Sequence, residues 1–260
     1  MLPEPTQNAK PVLAVAGLVQ RFGRIAALDG VDFCVGEDEI VGLVGPNGSG
    51  KTTLLKVIAG SIRPQAGTVR FRGRDVTGMP AYRLARLGLA RCSQIVEPLV
   101  GMSAREVVTV GALFGREGSR RGVAAAIDRA DEMLAQLGLQ GQAARPAVTL
   151  NIVDRKRLEL ARALAMEPRL LLLDEVMAGL TPPEADAIGE VVRGVRAGGV
   201  SVVVVEHVMR TITSLCDRAV VLRQGRILAE GPPRTVLRDP QVIEAYLGRG
   251  RVPSRSLETD

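Results

Sequence analysis

Gly45-Pro46-Asn47-Gly48-Ser49-Gly50-Lys51-Thr52-Thr53 fits the spacing G-x-x-x-x-G-K-[ST] residue for residue, and this stretch constrains the fold more than any other. The apolar run Glu39-Ile40-Val41-Gly42-Leu43-Val44 precedes it and reads as a buried parallel strand. Leu54-Leu55-Lys56-Val57-Ile58-Ala59-Gly60 follows, an apolar segment closed by glycine in the manner of a helix end. Strand, glycine-rich turn and helix form the context in which such a motif is informative. Glycines let the backbone approach a polyphosphate, and successive N–H groups at a positive helix end form an anion nest. Lys51 is expected on the β- and γ-phosphates and the Thr52 hydroxyl on Mg²⁺, with the rest of the loop around the phosphate chain. The expected ligand is a nucleoside triphosphate.

The 260 residues suffice for one large domain, or a core with a subdomain, and for a sizeable apolar interior. Hydrophobic residues make up 46% but aromatics only 2%, with no Trp, so the core must be built from Leu, Val, Ala and Ile. Cys34, Cys92 and Cys216 are odd in number and not at metal-ligand spacing, which favours a reduced, cytosolic compartment. The start Met1-Leu2-Pro3-Glu4-Pro5 has neither the basic stretch nor the apolar run of a signal peptide. No apolar run approaches the ~18 residues of a membrane span, so membrane association is expected through a partner or the surface. The net charge of +6 comes from scattered arginines without aromatics for base stacking. Nucleic acid is therefore not expected as a partner, and anionic lipid headgroups account for the charge at least as well.

Strands are expected at Val12–Val15, Val31–Val35, the run into the phosphate loop, Thr68–Phe71, and Leu89–Cys92 leading to Gln94. The character then turns helical. Ser103-Ala104-Arg105-Glu106 is a capping box, and residues 124–139 carry an apolar face of 3.6 period at Ile127, Ala130, Met133, Leu134 and Leu137. Apolar runs return at Leu170–Leu173 and Ser201–Val205. Between them Thr181-Pro182-Pro183-Glu184 starts a helix that ends near Gly198-Gly199. Gln224-Gly225 reads as a hairpin turn, and the tail beyond Gly248 as disordered.

Asp174-Glu175 end the leucine-rich strand, at the sheet edge where a doubly wound fold takes its ligand. Asp174 is placed for the Mg²⁺ shell, and Glu175, one residue on, to polarise a water attacking the γ-phosphate. His207, the one histidine of the sequence, follows the next apolar strand and Glu206 at the same edge. A neutral imidazole there can hydrogen-bond the γ-phosphate or the attacking water. Gln94 can complete the Mg²⁺ shell from another strand end.

This order of phosphate loop, Gln94, Leu158-Glu159-Leu160-Ala161-Arg162-Ala163-Leu164-Ala165, Asp174-Glu175 and Glu206-His207 resembles the ATP-binding-cassette ATPases of transporters over about residues 12–248. Arg21-Phe22-Gly23, Ala178-Gly179-Leu180-Thr181-Pro182, Val205-Glu206-His207-Val208-Met209 and the stretch from Gly231 to Gly248 are similar to the cassettes of branched-chain amino-acid importers. The resemblance implies an α/β P-loop NTPase core, RecA-like, with a mostly parallel sheet and an antiparallel β subdomain. Residues 12–94 and 165–248 would form that core, 95–164 an inserted α-helical subdomain, and 249–260 a disordered tail. It also implies ATP and Mg²⁺ as cofactors, and Phe22 stacked on the adenine. The implied partners are a second cassette, two membrane permease subunits and, indirectly, an extracytoplasmic solute-binding protein. The implied location is the cytoplasmic face of the inner membrane, peripherally bound.

The sequence departs from the family at one loop. Such cassettes carry Leu-Ser-Gly-Gly-Gln or a close variant where this chain has Leu150-Asn151-Ile152-Val153-Asp154. Ile152 and Val153 add β-branched bulk where glycines admit a phosphate, and Asp154 brings a carboxylate towards a polyanion. Asp154 is expected as the N-cap of its helix, with the Asn151 amide still able to donate. Val176 replaces the proline usual after the catalytic Glu. In a head-to-tail dimer the altered loop serves the partner's ATP, so the expectation is a heterodimer in which this chain's own phosphate loop belongs to the hydrolysing site. The alternative is a subunit that supports dimer closure but hydrolyses little.

Overall fold

A computed structural model describes residues 11–93, 100–116 and 122–247. Gln94 and the tail 249–260 lie outside the described residues.

Two sheets organise the chain. The first is antiparallel, with β1 (Leu13–Phe22), β2 (Ile25–Val35), β4 (Ala66–Phe71) and β5 (Arg74–Asp75) in the order β2-β1-β4-β5. The second has the order β10-β9-β3-β8-β7-β6 and contains β3 (Ile40–Val44), β6 (Leu89–Cys92), β7 (Leu170–Asp174), β8 (Ser201–Val205), β9 (Arg218–Arg223) and β10 (Arg226–Gly231). Its strands run parallel from β6 to β9, and only β10 is antiparallel, joined to β9 through Gln224-Gly225. The helices are α1 (Lys51–Ile58), α2 (Ala81–Leu87), α3 (Ala104–Phe114), α4 (Val123–Gln136), α5 (Ile152–Ala165), α6 (Pro182–Ala197), α7 (Met209–Leu215), α8 (Pro233–Val236) and α9 (Pro240–Leu247).

The continuous apolar runs follow from the parallel sheet's burial on both faces. Leu171, Leu173, Val202 and Val204 belong to one core with α3, α4, α5, α6 and α7. Leu170, Leu172, Val203 and Val205 belong to another with α1 and the antiparallel sheet. Every residue of β3, β7 and β8 is buried. Among the described residues no helix is long and apolar enough to cross a membrane.

The capping boxes at Ser103/Glu106 and Thr181/Glu184 are both formed, the second with Pro182 at the first helical position. β1 and β2 are much longer than Val12–Val15 and Val31–Val35. Register shifts at Val15/Leu18, Leu18/Val19 and Gln20/Arg21 break the two-residue alternation, so pattern alone cuts the strands short.

The carboxyl edge of the parallel sheet carries the site, and the amino edge is tied by a half-buried ion network. Arg218 donates from Nε to Glu39 Oε1 at 2.7 Å and from Nη2 to Glu39 Oε2 at 3.0 Å and the Cys34 carbonyl at 2.8 Å, and it bonds Glu230 as well. Burial alone would raise the Glu39 carboxyl, but Arg218 and the Gly36 N–H outweigh it and hold its pKa below the ordinary value. A depressed carboxylate stabilises the fold fully above its unfolded pKa and loses that contribution as pH falls through the folded one. Arg218→Ala strands the Glu39 carboxylate and is expected to cost about 3 kcal/mol. Denaturant melts should show the full loss at pH 7, with the difference shrinking only as pH falls below the ordinary carboxylate value and through the depressed folded pKa of Glu39.

Candidate active site

β3 feeds the phosphate loop directly into α1. Gly45 has φ +150° and Gly50 φ +110°, and a Cβ at either would lie 2.1 Å from the Leu222 carbonyl oxygen or 2.3 Å from that of Ala27. Glycine is therefore required by backbone conformation and by close backbone contact at both ends of the loop. Lys51, 5% exposed, folds back over the loop and donates to the carbonyl oxygens of Gly45 at 2.7 Å and Pro46 at 3.1 Å. Burial lowers its ammonium pKa below the ordinary lysine value, against the opposing pull of Glu175 and Asp174.

The loop opens on a cavity of about 670 Å³ lined by residues 47–53, Glu175, His207, Ile25 and Ala27. Glu175 and His207 come from the ends of β7 and β8, adjacent strands of the parallel sheet. His207 Nε2 lies 2.6 Å from Glu175 Oε1. A carboxylate can only accept, so against ionised Glu175 the ring carries its proton on Nε2. Glu175 has φ +54°, a left-handed conformation that a non-glycine residue holds only when its surroundings fix it. Its N–H donates to the Val205 carbonyl at 2.9 Å, which anchors the turn to β8.

Asp174 is 1% exposed and does not line the cavity. Its Oδ2 accepts from Arg91 Nη2 at 2.8 Å, while Oδ1 is buried without a hydrogen-bond partner. That orphaned oxygen and the half-buried Thr52 hydroxyl are hard donors suited to a small divalent cation. No group of three or more His, Cys, Asp or Glu able to hold a metal occurs among the described residues. The donor set thus fits Mg²⁺ shared with phosphate oxygens and water, which is how that ion is usually bound.

Phe22 ends β1, is 49% exposed and is not part of the cavity wall; Ile25 and Ala27, across the hairpin on β2, are. The apolar contact on that side comes from aliphatic residues that sequence reasoning missed.

Three further groups shape the site: Arg91 and Lys156, which carry no sequence signal strong enough to find them, and Glu206, which the sequence marks as the neighbour of His207 without giving it a role. Arg91 holds Asp174, as described. Glu206, 1% exposed, accepts from the Met177 N–H at 2.8 Å through Oε1. Burial chiefly raises its pKa, and the Met177 bond and Lys156 act the other way. Lys156 of α5 donates to the Ala178 carbonyl. Together Glu206 and Lys156 hold the chain just after Glu175. Val176, where proline is usual, is buried at 6% exposure.

The altered loop differs from expectation. Asn151, not Asp154, is the N-cap of α5, and Asp154 sits in the first turn. Asn151 Oδ1 accepts from the Asp154 N–H at 2.8 Å and its Nδ2 donates to Asp154 Oδ2 at 2.9 Å. Starting the helix three residues earlier pairs both side chains at once, which engages the Asn151 Oδ1 and one of the two Nδ2 hydrogens. Leu150 is buried, and Ile152 is 62% exposed at the helix tip.

The sequence matches the family described as ABC transporter over residues 28–178, and that described as branched-chain amino acid ATP-binding cassette transporter over residues 226–252. It is 36% identical over 252 residues to the high-affinity branched-chain amino acid transport ATP-binding protein BraF of Pseudomonas aeruginosa, covering 92% of this chain and 99% of that one. LivG of Escherichia coli, of the same description, is 35% identical with the same coverage. The lipopolysaccharide export system ATP-binding protein LptB of Acidithiobacillus ferridurans is 34% identical over 237 residues, covering 91% of this chain and 97% of that one. A nucleotide-free ATP-binding cassette from an ABC transporter matches with a TM-score of 0.83 at 30% identity, covering 92% of this chain and 100% of the other. The ADP conformation of such a cassette matches with a TM-score of 0.83 at 30% identity, covering 92% and 99%.

A parallel sheet edged by a phosphate loop, an Asp-Glu pair and a histidine defines a P-loop ATPase. The chain belongs to the ABC transporter family, as an ATP-binding subunit whose ATPase activity is coupled to transport.

Proposed function

We propose that this subunit hydrolyses ATP to energise import of branched-chain amino acids or related small polar solutes. The observation that carries the hydrolytic half is the Glu175–His207 bond on the wall of the phosphate-loop cavity. The match over residues 226–252 and the BraF and LivG relatives support the substrate class. In this reading Glu175 is the general base for the attacking water, and His207 orients it and later contacts the γ-phosphate. Lys51 and the backbone N–H groups of the loop residues 45–53, Pro46 excepted, hold the phosphates. Thr52, Asp174 and Gln94 would hold Mg²⁺, which when bound neutralises charge on the β- and γ-phosphates. Phe22 keeps its proposed contact with the adenine only if the hairpin tip folds over the base.

The proposed assembly contains a second cassette, two membrane permeases and, indirectly, an extracytoplasmic solute-binding protein, with this subunit on the cytoplasmic face of the inner membrane. Co-purifying the complex and measuring ATP turnover with and without solute-loaded binding protein tests this. Stimulation by leucine, isoleucine or valine is expected, and a complex that responds to none of a panel of small polar solutes contradicts the import reading.

The Asn151–Asp154 pair favours a heterodimer. Each group pairs with the other, and Asp154 adds negative charge where the partner's ATP would bind. Replacing Asn151-Ile152-Val153-Asp154 by Ser-Gly-Gly-Gln is expected to raise ATP turnover of the complex, or leave it equal. A fall in turnover with the fold intact contradicts the asymmetry. The second reading, a subunit that closes the dimer but hydrolyses little, predicts no phosphate burst from this chain's site in single-turnover assays.

A further inference from the structure

Arg91 stands out because one side chain belongs to two places. It lies in β6, beside Leu172 of β7, and interrupts an otherwise apolar strand. Its Nη2 bonds Asp174 Oδ2 at 2.8 Å, and its Nε is buried without a hydrogen-bond partner. The same residue also lines a second cavity of about 340 Å³ between the sheet core and the helices, whose rim carries the exposed rings of Tyr82 and Phe114.

We infer that Arg91 is a positioning residue with two stations: it pairs with Asp174 while the divalent site is empty, and it yields towards the second cavity when metal and nucleotide bind. The inference rests on the ATP–Mg²⁺ reading above. A buried carboxylate needs a counter-charge, and without metal Arg91 is, among the described residues, the cation within ion-pair distance of it. A divalent cation at the free oxygen of Asp174 would stand within a few ångströms of the guanidinium, where like charges in a poorly screened site repel strongly. The pair and the metal therefore compete for one carboxylate. The guanidinium lacks a full set of acceptors in its present place, so leaving it forfeits little beyond the Asp174 bond. The second cavity is the space already open to its side chain.

Two measurements on the full chain test this. The first is Mn²⁺ affinity in the presence of ADP, by electron paramagnetic resonance, for the wild type, Arg91→Ala and Arg91→Lys. Competition predicts Mn²⁺ bound roughly tenfold tighter by Arg91→Ala, with Arg91→Lys between, the scale of one nearby charge on a carboxylate. Unchanged or weaker binding overturns it. Because a folding defect could blur the first result, the second places a reporter on the cavity rim: the chain has no Trp, so Tyr82→Trp is a unique fluorophore. Mn²⁺ quenches fluorescence directly, so this arm uses Mg²⁺ with ADP. The expected emission change depends on Arg91 and disappears in Tyr82→Trp/Arg91→Ala. The same change in both proteins, or in neither, overturns the movement. Failure of the wild type to bind Mn²⁺ with ADP at all would instead sink the nucleotide reading, a distinct outcome.

Discussion

Glu175→Gln in this chain is expected to lower ATP turnover of the assembled transporter by about 10²- to 10³-fold while leaving ATP binding intact. The amide is isosteric and keeps the left-handed turn, whose N–H to Val205 is a backbone bond. What it removes is the capacity to take a proton from water. It also changes the 2.6 Å bond to His207, since an amide oxygen is a weaker acceptor than a carboxylate. His207→Ala should then add little to the loss in a Glu175→Gln background, because the two act as a unit. The same Glu→Gln change in the partner cassette is expected to cost less. Equal sensitivity of the two subunits contradicts the asymmetric arrangement, and an undiminished rate in Glu175→Gln contradicts its role as base.

Lys51→Ala is expected to weaken ATP binding by about 100-fold or more, the scale of charge-assisted contacts to a polyphosphate in a desolvated site. Lys51 does two things. It presents a buried ammonium beside the acids Asp174 and Glu175, and it closes the loop on the carbonyls of Gly45 and Pro46. Alanine removes both and takes the ammonium donor from the Gly45 carbonyl, while the Pro46 carbonyl keeps the Ser49 N–H at 3.2 Å. Calorimetric titration with Mg²⁺ and ATP measures the loss, and a thermal melt without nucleotide separates it from unfolding. Because α1 is anchored by Leu54, Leu55 and Ile58 in the core, the variant is expected to fold. A melting temperature unchanged and an affinity also unchanged would show that Lys51 makes no energetically significant contact with the bound phosphates.

The parts of the site that were legible in the sequence are those written in consecutive residues. The phosphate loop carries its own spacing, and Asp174, Glu175 and His207 declare themselves by ending unbroken apolar strands. The bond between Glu175 and His207 was not legible, because it depends on β7 and β8 being neighbours in register. Arg91 reaches Asp174 across 83 residues of sequence, and its one sign is a cation inside an apolar strand, which needs a partner. Lys156 and Glu206 act on backbone groups, which any sequence supplies. At the altered loop both Asn151 and Asp154 are good caps, and only the helix start decides between them. The long hairpin of β1 and β2 was hidden by its bulges, and with it the aliphatic wall of Ile25 and Ala27.

A structure of the Glu175→Gln protein with Mg²⁺ and ATP tests the central claim most directly, that these residues converge on one triphosphate. Lys51 Nζ is expected to leave the Gly45 and Pro46 carbonyls for the phosphate oxygens, and His207 to come within hydrogen-bond distance of the γ-phosphate. ATP bound with Lys51 still on those carbonyls and His207 turned away would contradict it.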